Sequence, residues 1–571
     1  MSNLNLKGQK EQTYDAIVVG SGISGGWAAK ELSEKGLKTL VLERGRNVRH
    51  VQDYPTMNMA PWDLKYGDRL TTEERETTYR IQSRTGYAVG QSTKHFFAND
   101  IDNPYTEVKK FDWIRGYHVG GRSLIWGRQS YRWSQMDFES NAKDGHGADW
   151  PIRYKDLKKW YDYVESFAGI SGQNEGLAQL PDGNFLPPME MNCVETHLKE
   201  KIAEHFSGRA MTIGRVANLT QPHNGRGKCQ HRNLCRRGCP FGGYFSSNAA
   251  TLPVAEKTGN MTLRPHSIVN SLIYDKDKKR ATGVRVIDAE TNETMEFYAK
   301  VIFCNASTLG STFILMNTAR DIFDNGLGSS SGELGHNLMD HHFRVGASGD
   351  YDGFNDRYYK GRRPNGIYIP RFRNLGDNNS ERKDYVRGFG YQGSASRKDW
   401  KTMVAELGFG ADMKEKKTSP GMWRMGLTGF GEMLPYHENK VNLDFDKTDK
   451  WGQPTLKIDC EFKENEKIMR EDMAQSAAEM LESAGFKNID TFDRDEAPGH
   501  GIHEMGTARM GRDPKTSVLN KNNQVWDAPN VFVTDGACMT SSACQNPSLT
   551  YMALTARACD FAVKELNKGN L

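Results

Sequence analysis

Cys229, Cys235 and Cys239 stand in the stretch CQHRNLCRRGC, three of the chain's nine cysteines within eleven residues. Thiols at C-x5-C-x3-C spacing suit a metal or a cluster, a pair of disulfide partners, or a reduced and unliganded loop. The remaining cysteines are thinly spread and the total is odd, which is not the pattern of a disulfide framework. A metal or cluster therefore outranks a bridge.

Glycines at a second place point to nucleotide chemistry. Gly20, Gly22 and Gly25 form GxGxxG within YDAIVVGSGISGGWAAKELSEKGLKTLVLERG. The apolar run Ala16 to Val19 reads as a strand, Ser24 to Lys35 as a helix ending before Gly36, and Thr39 to Leu42 as a second strand closing on Glu43. Where a strand turns into a helix, backbone N–H groups and the helix dipole meet a pyrophosphate, and Glu43 is placed to accept hydrogen bonds from a ribose. A bound dinucleotide follows, NAD or FAD, since both use this turn.

A third place is the C-terminal region. His503, in HEMGTARMG, is an imidazole suited to act as a base near neutral pH, or to bond a backbone carbonyl. Asn546 before Pro547 reads as an N-cap with proline at N1, heading a helix whose apolar face includes Leu549, Met552, Ala553 and Ala556.

The elements that must position these groups belong to a soluble chain. At 571 residues it divides into two to four lobes, and 37% hydrophobic, 10% aromatic and 26% charged residues suit a globular protein. A net charge of +4 with no dense basic stripe excludes a nucleic-acid binder, and KDKKR (276 to 280) and KEKK (414 to 417) read as solvated turns. No run of eighteen apolar residues crosses a membrane, and the N-terminal MSNLNLKGQKEQTYD lacks the regions of a signal peptide. Residues 50 to 110 are polar and irregular, and 174 to 190 form a turn-rich linker. SLIYD (271 to 275), GVRVID (283 to 288) and VIFC (301 to 304) read as strands, and 350 to 450 as a sheet carrying loops, with SPGMWRMGLTGFGEM (419 to 433) an aromatic loop whose Trp423 suits either a ligand face or the core.

Four separated pieces, GSGISGG with Glu43, VGGRSLIWG (119 to 127), LGHNLMDHH (334 to 342) and HEMGTARMG with VTDGACMTSSACQNPSLTYMAL (533 to 554), together resemble the glucose-methanol-choline family of FAD oxidoreductases. The resemblance implies FAD rather than NAD and an α/β (α+β overall) fold. A Rossmann-like FAD-binding domain would be assembled from 1–50, 111–135, 195–345 and 495–571, with the cysteine loop at 228–242. A discontinuous, mostly antiparallel substrate domain would take 51–110, 136–194 and 346–494. It implies His503 and Asn546 as the catalytic pair, with Gly120, Gly121 and Ser123 at the cofactor. Asp535 and Gly536 would meet the ribityl or phosphate region, and the helix opened by Asn546, Pro547 and Leu549 would point its positive end at the flavin. LGHNLMDHH is expected to be structural or FAD-adjacent, not a zinc site built from His336, His341 and His342. Some members tether FAD through a histidine where this chain has Ile125, so the FAD is expected to be non-covalent.

Within that family the cysteine spacing resembles the large subunits of bacterial FAD-dependent sugar dehydrogenases, which carry a three-iron, four-sulfur (3Fe-4S) cluster. Three thiolates are enough for it, whereas a four-iron cuboid wants a fourth cysteine, and Lys228 and Gln230 flank Cys229. Zinc with His231 as fourth ligand is the alternative, although Cys-x-His is tight for two ligands of one ion. Arg232, Arg236 and Arg237 are expected to stabilise a reduced cluster or to form a basic face for an acidic partner. The resemblance implies a glucoside 3-dehydrogenase-like enzyme that oxidises a sugar hydroxyl and passes electrons through the cluster to a cytochrome c-type acceptor. A small subunit would carry the export signal to the periplasm, with cytoplasmic residence as the alternative. An oxygen-using pyranose oxidase-like enzyme and an electron-transfer flavoprotein subunit without its own substrate are the rivals. The cysteines argue against the first, and the His503 and Asn546 pair against the second.

Overall fold

The computed structural model describes residues 13–357, 364–397, 410, 411, 414 and 421–571. Residues 1 to 12, residues 415 to 417 of KEKK, and residues 419 and 420 of the loop expected near Trp423 lie outside the described residues.

The first sheet grows from the apolar runs already legible in the sequence. Strands β1 (Thr13–Val19), β2 (Thr39–Leu42), β5 (Met261–Arg264) and β8 (Thr294–Cys304) are joined by β17 (Ala528–Val533) and β16 (Gln524–Val525) in the order β16-β17-β8-β1-β2-β5. Pairing is parallel from β17 across to β5, with Ala16 beside Thr39 on one side and Val301 on the other. The ends of these strands nearest the glycine turn are continuous buried apolar runs, Ala16–Val19, Thr39–Leu42 and Val301–Cys304, as parallel strands covered on both faces require, while Thr13 and Lys300, farther from the turn, are exposed. The hairpin β6 (Ser267–Asp275) and β7 (Arg280–Asp288) turns at Lys276 to Lys279, within the KDKKR run, and adds β7 antiparallel to β8. The first helix, Ile23–Glu34, packs on the last, Ser548–Asn567, burying Ala28, Ala29 and Leu32 with Ala558, Cys559 and Ala562.

The second sheet is antiparallel between neighbours and, among the described residues, runs β15-β9-β12-β11-β10-β4, with β4 (Thr212–Ile213), β9 (His342–Tyr351), β10 (Ile367–Ile369), β11 (Phe389–Arg397), β12 (Trp423–Gly431) and β15 (Lys487–Asp493). Its core face is closed by the helices Cys193–His205 and Glu464–Ser483. Val194, Leu198 and Ile202, at i, i+4 and i+8, form the apolar stripe that takes the first of these onto the sheet. Residues 195–213 therefore pack with the second sheet, not with the first as the sequence segments placed them. Residues 423 to 431 are strand, not loop: Trp423 is 1% exposed because side chains alternate in and out along β12. A third, small sheet joins β3 (Thr106–Glu107), β13 (Lys440–Thr448) and β14 (Pro454–Asp459).

Candidate active site

A cavity of about 460 Å³ opens between the two sheets, lined at one end by the β1 turn and at the other by Gln392 of β11 and Phe430 of β12. Gly20 holds φ +91°, and a Cβ there would stand 2.4 Å from the Asn305 carbonyl oxygen. A Cβ on Gly25 would stand 2.0 Å from the Gly20 carbonyl oxygen, so only glycine lets the helix begin this close to the strand. Gly22 faces open space within the cavity, and the first-turn N–H groups behind it have no intrahelical partners. This is a cradle for a pyrophosphate. Glu43 is 5% exposed on the same wall. One of its oxygens accepts from Ser21 N–H (3.1 Å) and Ser21 Oγ (2.5 Å), and the other from Gly45 N–H (3.0 Å). Burial pushes its carboxyl above the usual range against those bonds.

Gly121 and Ser123 line the cavity from a short 3₁₀ turn, Gly121–Leu124. Gly120 sits just behind it, where its N–H donates to Ser21 Oγ at 3.0 Å. Asp535 and Gly536 also line it. Asp535 accepts from Ser311 Oγ at 2.6 Å and from Ala537 N–H at 3.0 Å, and burial pushes its carboxyl up to about 6. Gly25, Pro547 and Leu549 lie outside the lining, Leu549 being fully buried in the core. These residues, drawn from both ends and the middle of the chain, fit a flavin dinucleotide along the first sheet's carboxyl edge.

His503 and Asn546 meet at the far end, with Asn546 Nδ2 3.2 Å from His503 Nε2. Asn546 does not cap a helix. The last helix starts at Ser548 with Pro547 at the cap position, because the Asn546 side chain is drawn to His503 and accepts from Gln392 Nε2 at 2.6 Å. Burial, then His341 and Arg122, holds the His503 imidazole well below its ordinary 6.5, so it is neutral at neutral pH. Arg122 itself is paired with Glu504 through two bonds of 3.0 and 2.8 Å.

Sequence reasoning missed this second layer. Asp340, fully buried, accepts the backbone N–H groups of Gly499 (2.7 Å), Gly501 (2.8 Å) and His503 (3.0 Å), fixing the loop that carries the base. His341 lies 2.9 Å from His503. The three histidines of LGHNLMDHH do not gather: His336 stacks on His437 with ring centres 4.0 Å apart, and His342 is buried beside Phe462.

The cysteine loop forms the neighbouring wall. Cys229, Cys235 and Cys239 are partly exposed and unbridged. Cys229 accepts from His231 N–H at 3.4 Å, and its thiol is pushed up by burial and, less, by Cys235 and Cys239. Among the described residues, the His, Cys, Asp and Glu ligand atoms that all lie within 4.8 Å of one another are those of Asp112, Glu496 and His500, a cluster balanced by Arg84 and Arg344. The three thiols and His231 do not meet that spacing, so they are not gathered for one zinc ion. Three cysteine thiols on one loop are the donor type that an iron–sulfur cluster takes. A second cavity lined by Cys235 shares Trp126, Gly127, Arg128, Arg236 and Asn365 with the first. Tyr244 donates to Ser123 O at 2.7 Å and Tyr87 to Ile125 O at 2.9 Å, tying the loop's surroundings to the 3₁₀ turn. Arg232 and Arg237 are spent on Met57 and Met59 carbonyls, and Arg236 lies over the Tyr87 ring at 4.7 Å, so they brace the loop.

The chain is 29% identical over 567 residues to a 2-methyl-1,2-propanediol dehydrogenase of Mycolicibacterium austroafricanum, covering 96% of this chain and 94% of that one. It is 26% identical over 565 residues to the fructose dehydrogenase large subunit of Gluconobacter japonicus, covering 97% and 98%. A pyridoxine 4-oxidase from Mesorbium loti superposes with a TM-score of 0.57 at 15% identity, over 96% of this chain and 98% of that one, a likeness of fold. The family models described as GMC oxidoreductase match residues 14–343 and 435–555, which take in the first sheet, the glycine turn and the His503 and Asn546 pair. The chain therefore belongs to the GMC oxidoreductases, enzymes that bind FAD and act on CH–OH donors.

Proposed function

We propose that the chain is the catalytic subunit of an FAD-dependent sugar dehydrogenase that converts the C3 hydroxyl of glucosides and disaccharides to a ketone. The observation that carries the chemistry is the His503 and Asn546 pair, 3.2 Å apart at the end of a cavity whose other end is the glycine turn. Gly20, Gly22, Glu43, Gly121, Ser123, Asp535 and Gly536 would hold FAD, which when bound supplies a hydride acceptor. Alcohol oxidation removes a hydride from carbon and a proton from oxygen. The neutral His503 Nε2 takes that proton, and the Asn546 amide N–H holds the hydroxyl oxygen without competing for it. Gln392 brings the substrate sheet to Asn546, so sugar binding and base positioning share one hydrogen bond.

Cys229, Cys235 and Cys239 would hold an iron–sulfur cluster, which supplies one-electron transfer beside the cavity wall. That favours a dehydrogenase over an oxygen-using oxidase. The relative named as a large subunit supports a partner subunit. In this reading that small subunit carries the export signal to the periplasm, and a cytochrome c-type protein accepts the electrons.

Anaerobic mixing with a panel of methyl β-D-glucoside, maltose, D-fructose and 2-methyl-1,2-propanediol is expected to bleach the flavin with the glucoside and disaccharide and to yield 3-keto products by NMR. Bleaching by the diol alone would leave an alcohol dehydrogenase and remove the sugar. Ile125, 1% exposed and aliphatic, offers no atom for a flavin linkage. Acid precipitation is expected to leave yellow FAD in the supernatant, and colour retained in the pellet would reveal a covalent bond elsewhere.

A further inference from the structure

We propose that His341 is a positioning residue that fixes the tautomer of His503, so that the Nε2 lone pair, not Nδ1, faces the cavity. The inference rests on His503 being the base of the proposed reaction. It starts from a group whose polarity is beyond choice: His341 Nε2 meets the backbone carbonyl of Ala543, and a carbonyl can only accept. Nε2 of His341 therefore carries a proton. Burial holds the His341 imidazole down to about 4, so the ring is neutral and its Nδ1 is a lone pair.

That lone pair lies 2.9 Å from Nδ1 of His503, which must donate. His503 is then the Nδ1–H tautomer, and its Nε2 is the free base. The polarity runs one step further on each side of the pair. A free Nε2 requires Asn546 to present its NH₂ at 3.2 Å, which turns the Asn546 carbonyl oxygen to accept from Gln392 at 2.6 Å. One backbone carbonyl thus sets the direction of three side chains, and the segment Ala543 to Asn546 supplies both the start of the relay and the substrate-side amide.

His341 is not among the residues lining the cavity, so it acts through His503 and not on substrate. When His503 takes a proton on Nε2, its Nδ1–H keeps the same His341 acceptor, so the ring holds its orientation through the transfer. The other charged groups around His503 cannot do this. Arg122 is cationic and tied to Glu504, and Asp340 is occupied by the loop backbone, including the His503 N–H at 3.0 Å.

The test uses ¹⁵N-histidine-labelled holoenzyme, with the His503 resonances identified by their loss in His503→Ala. Long-range ¹H–¹⁵N correlation is expected to show Nε2 unprotonated and Nδ1 protonated in the wild type. His341→Asn keeps an oxygen acceptor near the Nδ1 position and is expected to keep that pattern, whereas His341→Leu is expected to give an Nε2–H form. In anaerobic stopped flow with methyl β-D-glucoside, His341→Leu is expected to slow flavin reduction by about 10- to 100-fold. His341→Asn should restore most of that rate. An unprotonated Nδ1 on wild-type His503, or a His341→Leu enzyme with unchanged tautomer and reduction rate, overturns the inference even if His503→Ala is inactive. A His503→Ala enzyme that reduces its flavin at the wild-type rate overturns instead the assignment of His503 as base, whatever the tautomer.

Discussion

Replacing His503 with alanine is expected to leave FAD bound and to slow flavin reduction by about two to four orders of magnitude, the usual contribution of a positioned base. The cofactor should stay because the glycine turn, Glu43 and Asp535 all lie away from the imidazole, at the first sheet. The wild-type pH profile carries a second expectation. The base works when neutral, and burial, followed by His341 and Arg122, lowers its pKa, so the rate should hold as pH falls through 6.5 and drop only well below it. Stopped-flow reduction under anaerobic conditions reads both. Near-full activity with normal FAD content, or an acid limb at the ordinary histidine position, contradicts the assignment.

Replacing Cys235 with serine is expected to separate sugar oxidation from electron exit. Wild-type protein purified in air should be brown, with about three irons per chain and a broad absorbance beneath the flavin bands, because thiolate-to-iron charge transfer has no counterpart in zinc. The variant should lose the iron and the brown colour together. Its flavin should still bleach with sugar in a single turnover, since Cys235 touches the second cavity and not the pair at the end of the first. Turnover with a cytochrome acceptor should collapse. Stoichiometric zinc without iron in the wild type would refute the relay and turn the reading toward an oxidase or a dye-coupled enzyme.

What the sequence shows and hides follows the range of each interaction. The β1 strand, the glycine turn and the β2 strand are legible because strand, turn and helix signals lie within about one supersecondary unit, and Gly20, Gly22 and Gly25 have local steric reasons. The hairpin at KDKKR is legible for the same reason. His503 and Asn546 emerge only as a matched pair of family positions, since each alone has an ordinary structural use. Nothing local announces Asp340, His341 or the Arg122 and Glu504 pair: their partners are 163, 162 and 382 residues away. Asn546 misleads for a related reason. Asn-Pro before an apolar stripe is a sound N-cap signal, but tertiary partners took its side chain and the helix began two residues later. Residues 423 to 431 look like a loop because β12 carries glycines at 426, 429 and 431, and glycine in a strand imitates a turn until its neighbours are known.

The packing of the first helix against the last has a consequence for biosynthesis. The nucleotide turn leaves the ribosome long before the last helix, yet Ala28, Ala29 and Leu32 are covered by residues 558 to 562. At about 5–20 residues per second, a chain of 571 residues keeps that face uncovered for roughly half a minute to two minutes. Strand β17, Asp535 and both members of the His503 and Asn546 pair arrive in the same closing interval. Until those residues have emerged, a nascent chain holds neither the complete cofactor cradle nor the base.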